Sequence, residues 1–223
     1  MRHLLGVLAF VTALLPCTAR ADSILINGSF ESGPPMSGFQ DIDVLAGSTA
    51  IVGWTVFGTS IDYLGAPWDV SNGLHAIDLD GRNATFSGVS QTFATNPGQP
   101  YEVSFDLSGN PQGGPTIKQV LALAGSASNP YSFDTTGQST SALLWTSISF
   151  TFTATDAFST LSFLSLTGTP NSYGALIDNV AVQRVPEPGT LVLVGTGLVA
   201  VVHRRRAQSR VAEEPESGRG QNQ

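Results

Sequence analysis

The chain has 223 residues, 41% hydrophobic and 12% charged, with seventeen acidic against ten basic side chains and a formal net charge of −7. So acidic a surface repels phosphate and argues against nucleic acid as a partner. The single cysteine, Cys17, excludes a disulfide framework.

From the start, Met1-Arg2-His3 is a short basic opening and residues 4–15 form an apolar run. Thr18-Ala19-Arg20-Ala21 follows, an Ala-x-Ala cleavage site with Ala19 and Ala21 before Asp22. Residues 1–21 therefore read as a signal peptide. Pro16 beside Cys17 is a poor fit to a lipid-attachment box, so cleavage leaves a thiol-free exported protein held by its core or by a metal.

Residues 22–185 suit one domain with a real core. They carry three basic side chains (Arg82, Lys118, Arg184) against thirteen acidic ones, a net −10. That balance suits a solvated exported protein or one that binds cations, and it leaves neutral sugars as compatible partners.

Strand patterns recur at 50–57, 74–79, 86–93, 101–108, 117–124, 148–153, 160–166 and 175–182. Tyr101, Val103, Phe105 and Leu107 alternate with polar residues and share one face. Turn clusters Asp80-Gly81-Arg82-Asn83, Asn96-Pro97-Gly98 and Gly109-Asn110-Pro111 separate the strands. The fold class expected is all-β, a two-sheet jelly-roll sandwich. Only the apolar runs at the two ends read as helical, and no internal repeat is present.

Within the domain, Trp54 alternates with Val52 and Val56 and reads as core; Trp145 reads as buried. Tyr63 and Trp68 lie in the irregular segment 62–72, where binding loops usually lie, and are the candidate sugar-stacking residues. Asp78 and Asp80, i and i+2 on a strand, would lie about 6.5–7 Å apart, near the spacing of glycosidase carboxylates. They read equally as solvated residues flanking a turn. His75 is the domain's lone histidine and reads as packed or superficial. No nucleophile elbow, zinc-type cluster or phosphate loop occurs, so the chain is not read as an enzyme.

The chain continues Val185-Pro186-Glu187-Pro188-Gly189-Thr190, then an apolar run over 190–202, then His203-Arg204-Arg205-Arg206. A spanning helix needs about 20 apolar residues, so this short hydrophobic helix suits a transient anchor. Pro186, Glu187 and Pro188, the apolar run, and Arg204, Arg205 and Arg206 together resemble the PEP-CTERM sorting signal, over residues 186–206. The resemblance implies export, transient membrane association through the C-terminal segment, and processing by a membrane protease of exosortase type. The basic cluster is expected to stay cytoplasmic, which puts residues 22–185 outside. Residues 207–223 read as a disordered polar tail.

The domain also carries an ordered series: Asn27-Gly28-Ser29-Phe30-Glu31, Ile51-Val52-Gly53-Trp54-Thr55-Val56, Ile61-Asp62-Tyr63-Leu64 and Ile77-Asp78-Leu79-Asp80-Gly81. Ser90-Gln91-Thr92-Phe93-Ala94-Thr95, Phe105-Asp106-Leu107-Ser108-Gly109-Asn110 and Leu176-Ile177-Asp178-Asn179-Val180 complete it. The series resembles the bacterial choice-of-anchor C family, related to a domain-of-unknown-function family of plant cell-wall proteins. That resemblance implies a galactose-binding-like sandwich and a structural calcium, with carboxylates from Glu31 and Asp178 and a carbonyl from Gly33. The alternative is that Glu31 caps a turn and Asp178 bonds a neighbouring N–H. The function expected is an exported, surface-sorted, non-catalytic sandwich that associates with extracellular polysaccharide; the alternative is a structural matrix or adhesin protein. The location expected is the cell surface, outer envelope or extracellular matrix of a Gram-negative-type bacterium.

Overall fold

The computed structural model describes residues 22–186 apart from 39, 83, 85 and 169–171. The cleavage pair Ala19 and Ala21, Glu187, Pro188, the arginines 204–206, the C-terminal hydrophobic segment and the polar tail lie outside the described residues. Among those described there is no helix long and apolar enough to cross a membrane.

Among the described residues eleven strands build two antiparallel sheets: β1 (Asp41–Leu45), β2 (Thr55–Phe57), β3 (Ser60–Leu64), β4 (Ala76–Asp78), β5 (Gly88–Ala94), β6 (Pro100–Gly109), β7 (Ile117–Ala124), β8 (Ala127–Asp134), β9 (Thr146–Thr153), β10 (Phe158–Ser165) and β11 (Ala175–Arg184). One sheet has six strands in the order β1-β3-β4-β11-β6-β9, the other five in the order β2-β5-β10-β7-β8. The sandwich expected from the sequence is the one observed.

Alternation builds the core. Tyr101, Val103, Phe105 and Leu107 of β6 are buried between the sheets, facing Leu161 and Phe163 of β10 and Val120, Ala122 and Ala124 of β7. An aromatic line threads it: Phe30 to Trp54 at 5.2 Å, Trp54 to Phe163 at 6.5 Å, Phe163 to Phe105 at 4.9 Å and Phe105 to Tyr131 at 5.6 Å. Trp54 is core, as expected, and its indole N–H donates to the Asn27 carbonyl.

The sequence pattern overreaches around Trp54. Gly53, at φ 85°, turns the chain out of extended geometry, so β2 keeps only three residues. Val52 consequently leaves the core stripe and is half exposed. Three strands lack a clear signal. The least visible is β8, whose Asn129 and Pro130 are poor strand formers and are tolerated because β8 is an edge.

Candidate functional site

The outer face of the six-stranded sheet collects carboxylates. Residues directly opposed in an antiparallel register share a face. Asp43 of β1 faces Asp62 of β3, and Asp62 faces Asp78 of β4. Two residues along, Asp178 of β11 faces Asp106 of β6, which faces Ser147 of β9. Like charges so placed repel, and each carboxyl is settled differently. Burial, followed by the charges of Asp41 and Asp43, pushes Asp62 up to about 7, against a smaller pull from Arg82. Burial also drives up Asp106, but hydroxyl bonds from Ser147 and Ser71 and the Asn179 amide overcome it and hold Asp106 below its ordinary value.

A bulge in β11 makes that last bond. The register shifts between Asp178 and Ala181, with Asn179 at φ 51°. Asp178 and Asn179 both reach the outer face, while Val180 returns to the core.

Two loops roof this acidic face. Trp68 and Leu143 pack with Leu64 and Leu176 in a second apolar cluster, flanked by Val70 and Trp145. The loops are stitched together: Asp69 N–H donates to the Thr140 carbonyl (2.8 Å), the Asp69 carboxylate accepts Leu143 N–H, and the Trp145 indole donates to the Asp69 carbonyl. Trp145 is half-buried, not fully buried. The stacking roles expected for Tyr63 and Trp68 give way here. Trp68 is 7% exposed, pinned beneath the roof, and Tyr63 is fully buried with its hydroxyl donating to the Phe30 carbonyl at 2.6 Å. Neither offers a ring face to a ligand. A loop position alone does not reveal that an aromatic folds inward. His75 is half-buried, stacked on Tyr63 at 4.8 Å. Beside it opens a cleft of about 610 Å³ lined by Met36, Gln40, Ala66, Pro67, Leu74 and His75.

Glu31 and Asp178 come together as a latch on the same loop. Glu31 Oε1 accepts N–H from Leu74 and His75 (2.9 and 3.0 Å); Asp178 accepts from Asn72 (2.7 Å) and Asn179 (2.6 Å). Burial lifts Asp178 to about 7 against those N–H groups, with the Glu31 charge adding to the lift. Gly33 lies against the Tyr63 ring, where a Cβ would have no room. Three of the four carboxylate oxygens a cation would use are thus already engaged by donors. Among the described residues no group of three or more His, Cys, Asp or Glu is placed to hold a metal ion. These bonds make Glu31 and Asp178 a latch on the loop over residues 72–75.

Asp78 and Asp80 are not solvated, contrary to one sequence reading: both are almost completely buried. Asp78 accepts N–H from Asp80 and Gly174 and the amide of Asn110. Burial still holds its pKa well up, helped by the charges of Asp62 and Asp80. Asp80 is pushed by burial to about 6, opposed by the Ser165 hydroxyl and Lys118. Lys118 is itself buried, donating to the carbonyls of Gly113 and Tyr173 at 2.7 Å each. The pair is locked into the sandwich end with no access for a substrate.

The outer face of the five-stranded sheet is the opposite in every respect. Its strand registers create two rows: Thr55, Ser90, Ser162, Leu123 and Ser128, then Phe57, Gly88, Leu164, Leu121 and Pro130. The first is rich in hydroxyls and the second is apolar. A further hydroxyl pair, Thr92 and Thr160, bonds across the strands at 2.8 Å. The Phe57 ring lies over Gly88, where a Cβ would come within 2.6 Å of Cζ. Lys118 points inward, and Asp134 at the rim is the charged residue in the outward phase of these strands. Phe57 has no loop or turn signal of its own, but Trp54 and Val56 in the core phase put it in the outward one.

Residues 23–183 match a family described as proteins of unknown function (DUF642), and residues 184–207 match the PEP-CTERM protein-sorting motif. Halomucin of Haloquadratum walsbyi is 30% identical over 189 residues, 83% of this chain but 2% of halomucin, so the chain spans a small part of that relative's length. TmCBM61, solved in complex with β-1,4-galactotriose, superposes with a TM-score of 0.51 at 16% identity, covering 74% of this chain and all of that one. An arabinose-bound α-L-arabinofuranosidase, MgGH51, superposes at 0.50 and 12% identity, over 76% of this chain and 27% of the enzyme. At such identities the likeness shows the fold alone: an antiparallel β-sandwich shared with a carbohydrate-binding module.

Proposed function

The chain belongs to the DUF642 family, and from that premise we propose that it is an exported, surface-sorted, non-catalytic sandwich that associates with neutral extracellular polysaccharide through the open face of its five-stranded sheet. The observation that carries this reading is the charge-free pairing of a hydroxyl row with an apolar row on that face. A pyranose chain presents both chemistries: C–H patches that lie on Phe57, Leu121 and Leu164, and hydroxyls that exchange hydrogen bonds with Ser90, Ser162 and Ser128. Such sites are mostly apolar with a few placed polar groups. The galactotriose held by TmCBM61 supports a neutral sugar as the ligand class. The ordered motif series supports a place beside choice-of-anchor C proteins, and the sorting motif supports delivery through an exosortase-type protease to the cell surface.

Affinity electrophoresis of the full chain through gels containing galactan, arabinan, xylan or polygalacturonate tests the reading. Retardation by at least one neutral polymer is expected, and none by the acidic one, since like charges repel. No retardation by any neutral polymer would sink the binding role and leave a structural matrix protein.

A further inference from the structure

A two-sheet sandwich has four edge strands, and each exposed edge invites another strand unless something blocks it. Here the edges are β1 and β9 of one sheet and β2 and β8 of the other. β2 is closed by its own chain: Gly47 N–H donates to the Val56 carbonyl and Val56 N–H to the Ser48 carbonyl, at 2.8 and 3.0 Å. β8 is interrupted by Pro130, which has no N–H to give. β1 is five residues long and bears Asp41 and Asp43. β9 has none of these defences. Thr146-Ser147-Ile148-Ser149-Phe150-Thr151-Phe152-Thr153 carries no charge and no proline, and its register with β6 runs unbroken from Thr146 to Thr153. Among the described residues it pairs with β6 alone, and its far side is bare.

We propose that β9 is the docking edge for β9 of a second copy of this chain, the two strands pairing antiparallel about a two-fold axis. The six-stranded sheets of two copies then join into one continuous sheet. Three observations select a second copy as the occupant. First, the strand is self-complementary: run against itself, it sets Ser and Thr beside Ser and Thr on one face and Ile and Phe beside Ile and Phe on the other, both favourable cross-strand combinations. Second, the chain carries a net −7, and the uncharged β9 lets two copies meet edge to edge without opposed carboxylates. Third, the inner flank of β9 is unfinished. Ile148 and Phe150 are only half-buried, as are Tyr131 and Phe133 of β8 across the sandwich opening, and Tyr131 packs on Phe105, the cross-strand partner of Ile148. A neighbouring copy's Ile148 and Phe150 would cover this gap.

Sedimentation equilibrium of the full chain over a concentration series reads the association. The wild-type mass should rise towards that of a dimer. Ser149→Lys/Thr151→Lys alters two exposed side chains of β9 and sets like charges across the two-fold axis. It should weaken association by about tenfold or more with an unchanged far-UV circular dichroism spectrum, while Ser132→Lys on exposed β8 should associate like wild type. Backbone amides of β9 facing away from β6 should gain hydrogen-exchange protection as concentration rises. A wild type that stays monomeric throughout, or a β9 lysine variant that associates as strongly as wild type, would overturn the proposal. Association through the apolar chain ends would survive the lysines and count against it.

Discussion

The two outer faces of this sandwich are made by the same rule of alternation and end in opposite chemistry. On the six-stranded sheet the outward positions hold Asp43, Asp62, Asp78, Asp106 and Asp178, and two loops seal much of that face under Trp68 and Leu143. On the five-stranded sheet they hold Ser, Thr, Leu and Phe, open to solvent. A chain with a large negative charge has thus confined much of it to one side of the domain. The open side is left fit for an uncharged polymer. Sealing has a cost, because a buried carboxylate without a counter-charge disfavours the folded state. If the two faces have separate duties, changes to one should leave the other's property intact.

The largest separation should come from Trp68→Ala. It removes the ring that pins the roof and opens a cavity beside Leu64 and Leu176. A loss of about 3–5 kcal/mol is expected by analogy with other large-to-small core changes, read as a lower urea midpoint at constant slope. Retardation by polysaccharide should be unchanged under conditions where the variant is folded. A loss below about 1 kcal/mol would mean that the roof is not a packed core at all.

Next comes the acid face's dependence on pH. Asp62 and Asp178 are raised to about 7, Asp80 to about 6, and Asp78 is also raised, all from an ordinary 3.8. The folded chain therefore holds protons that the unfolded chain releases. Stability from these groups is fully present below about pH 4 and is lost as pH rises through 6 and 7. Asp106 runs the other way and favours folding above its ordinary value. The melting temperature should be higher at pH 5 than at pH 8. Asp62→Asn should flatten that slope and recover about 1–2 kcal/mol at pH 8. A melting temperature that holds level or climbs between pH 5 and 8 would show the carboxyls to be better solvated than their burial implies.

Much of the frame was legible because alternation is local. The stripe Tyr101, Val103, Phe105, Leu107 declares its buried face within eight residues. The acid row was not legible, since Asp43, Asp62 and Asp78 are separated along the chain and become neighbours only through strand register. Trp68 misled for a related reason: a loop's sequence does not say whether it lies over open water or over an apolar sheet surface. Glu31 and Asp178 both meet backbone N–H from residues 72–75, a partner with no side-chain signature. Phe57 is legible from the sequence, because the phase set by Trp54 and Val56 turns it outward.

That phase leads to the smallest and most discriminating effect. Phe57 lies over Gly88 and is part of the apolar row, so Phe57→Ala removes stacking surface without opening the core. Ring stacking is worth about 0.5–1.5 kcal/mol, which converts to a roughly two- to tenfold loss of polysaccharide retention. Stability should fall by less than about 1 kcal/mol, because the ring is only half-buried. Phe158 is the natural control: it is 67% exposed at the beginning of β10, on the same face as Phe57 but outside both rows. Phe158→Ala should leave retention within about twofold, less than the weakest stacking contribution expected of Phe57. Equal losses from both substitutions would mean that exposed aromatics stick to the polymer wherever they lie. A loss confined to Phe57 makes the open face a site, because the same ring chemistry then works only where the row of Leu164 and Leu121 continues it.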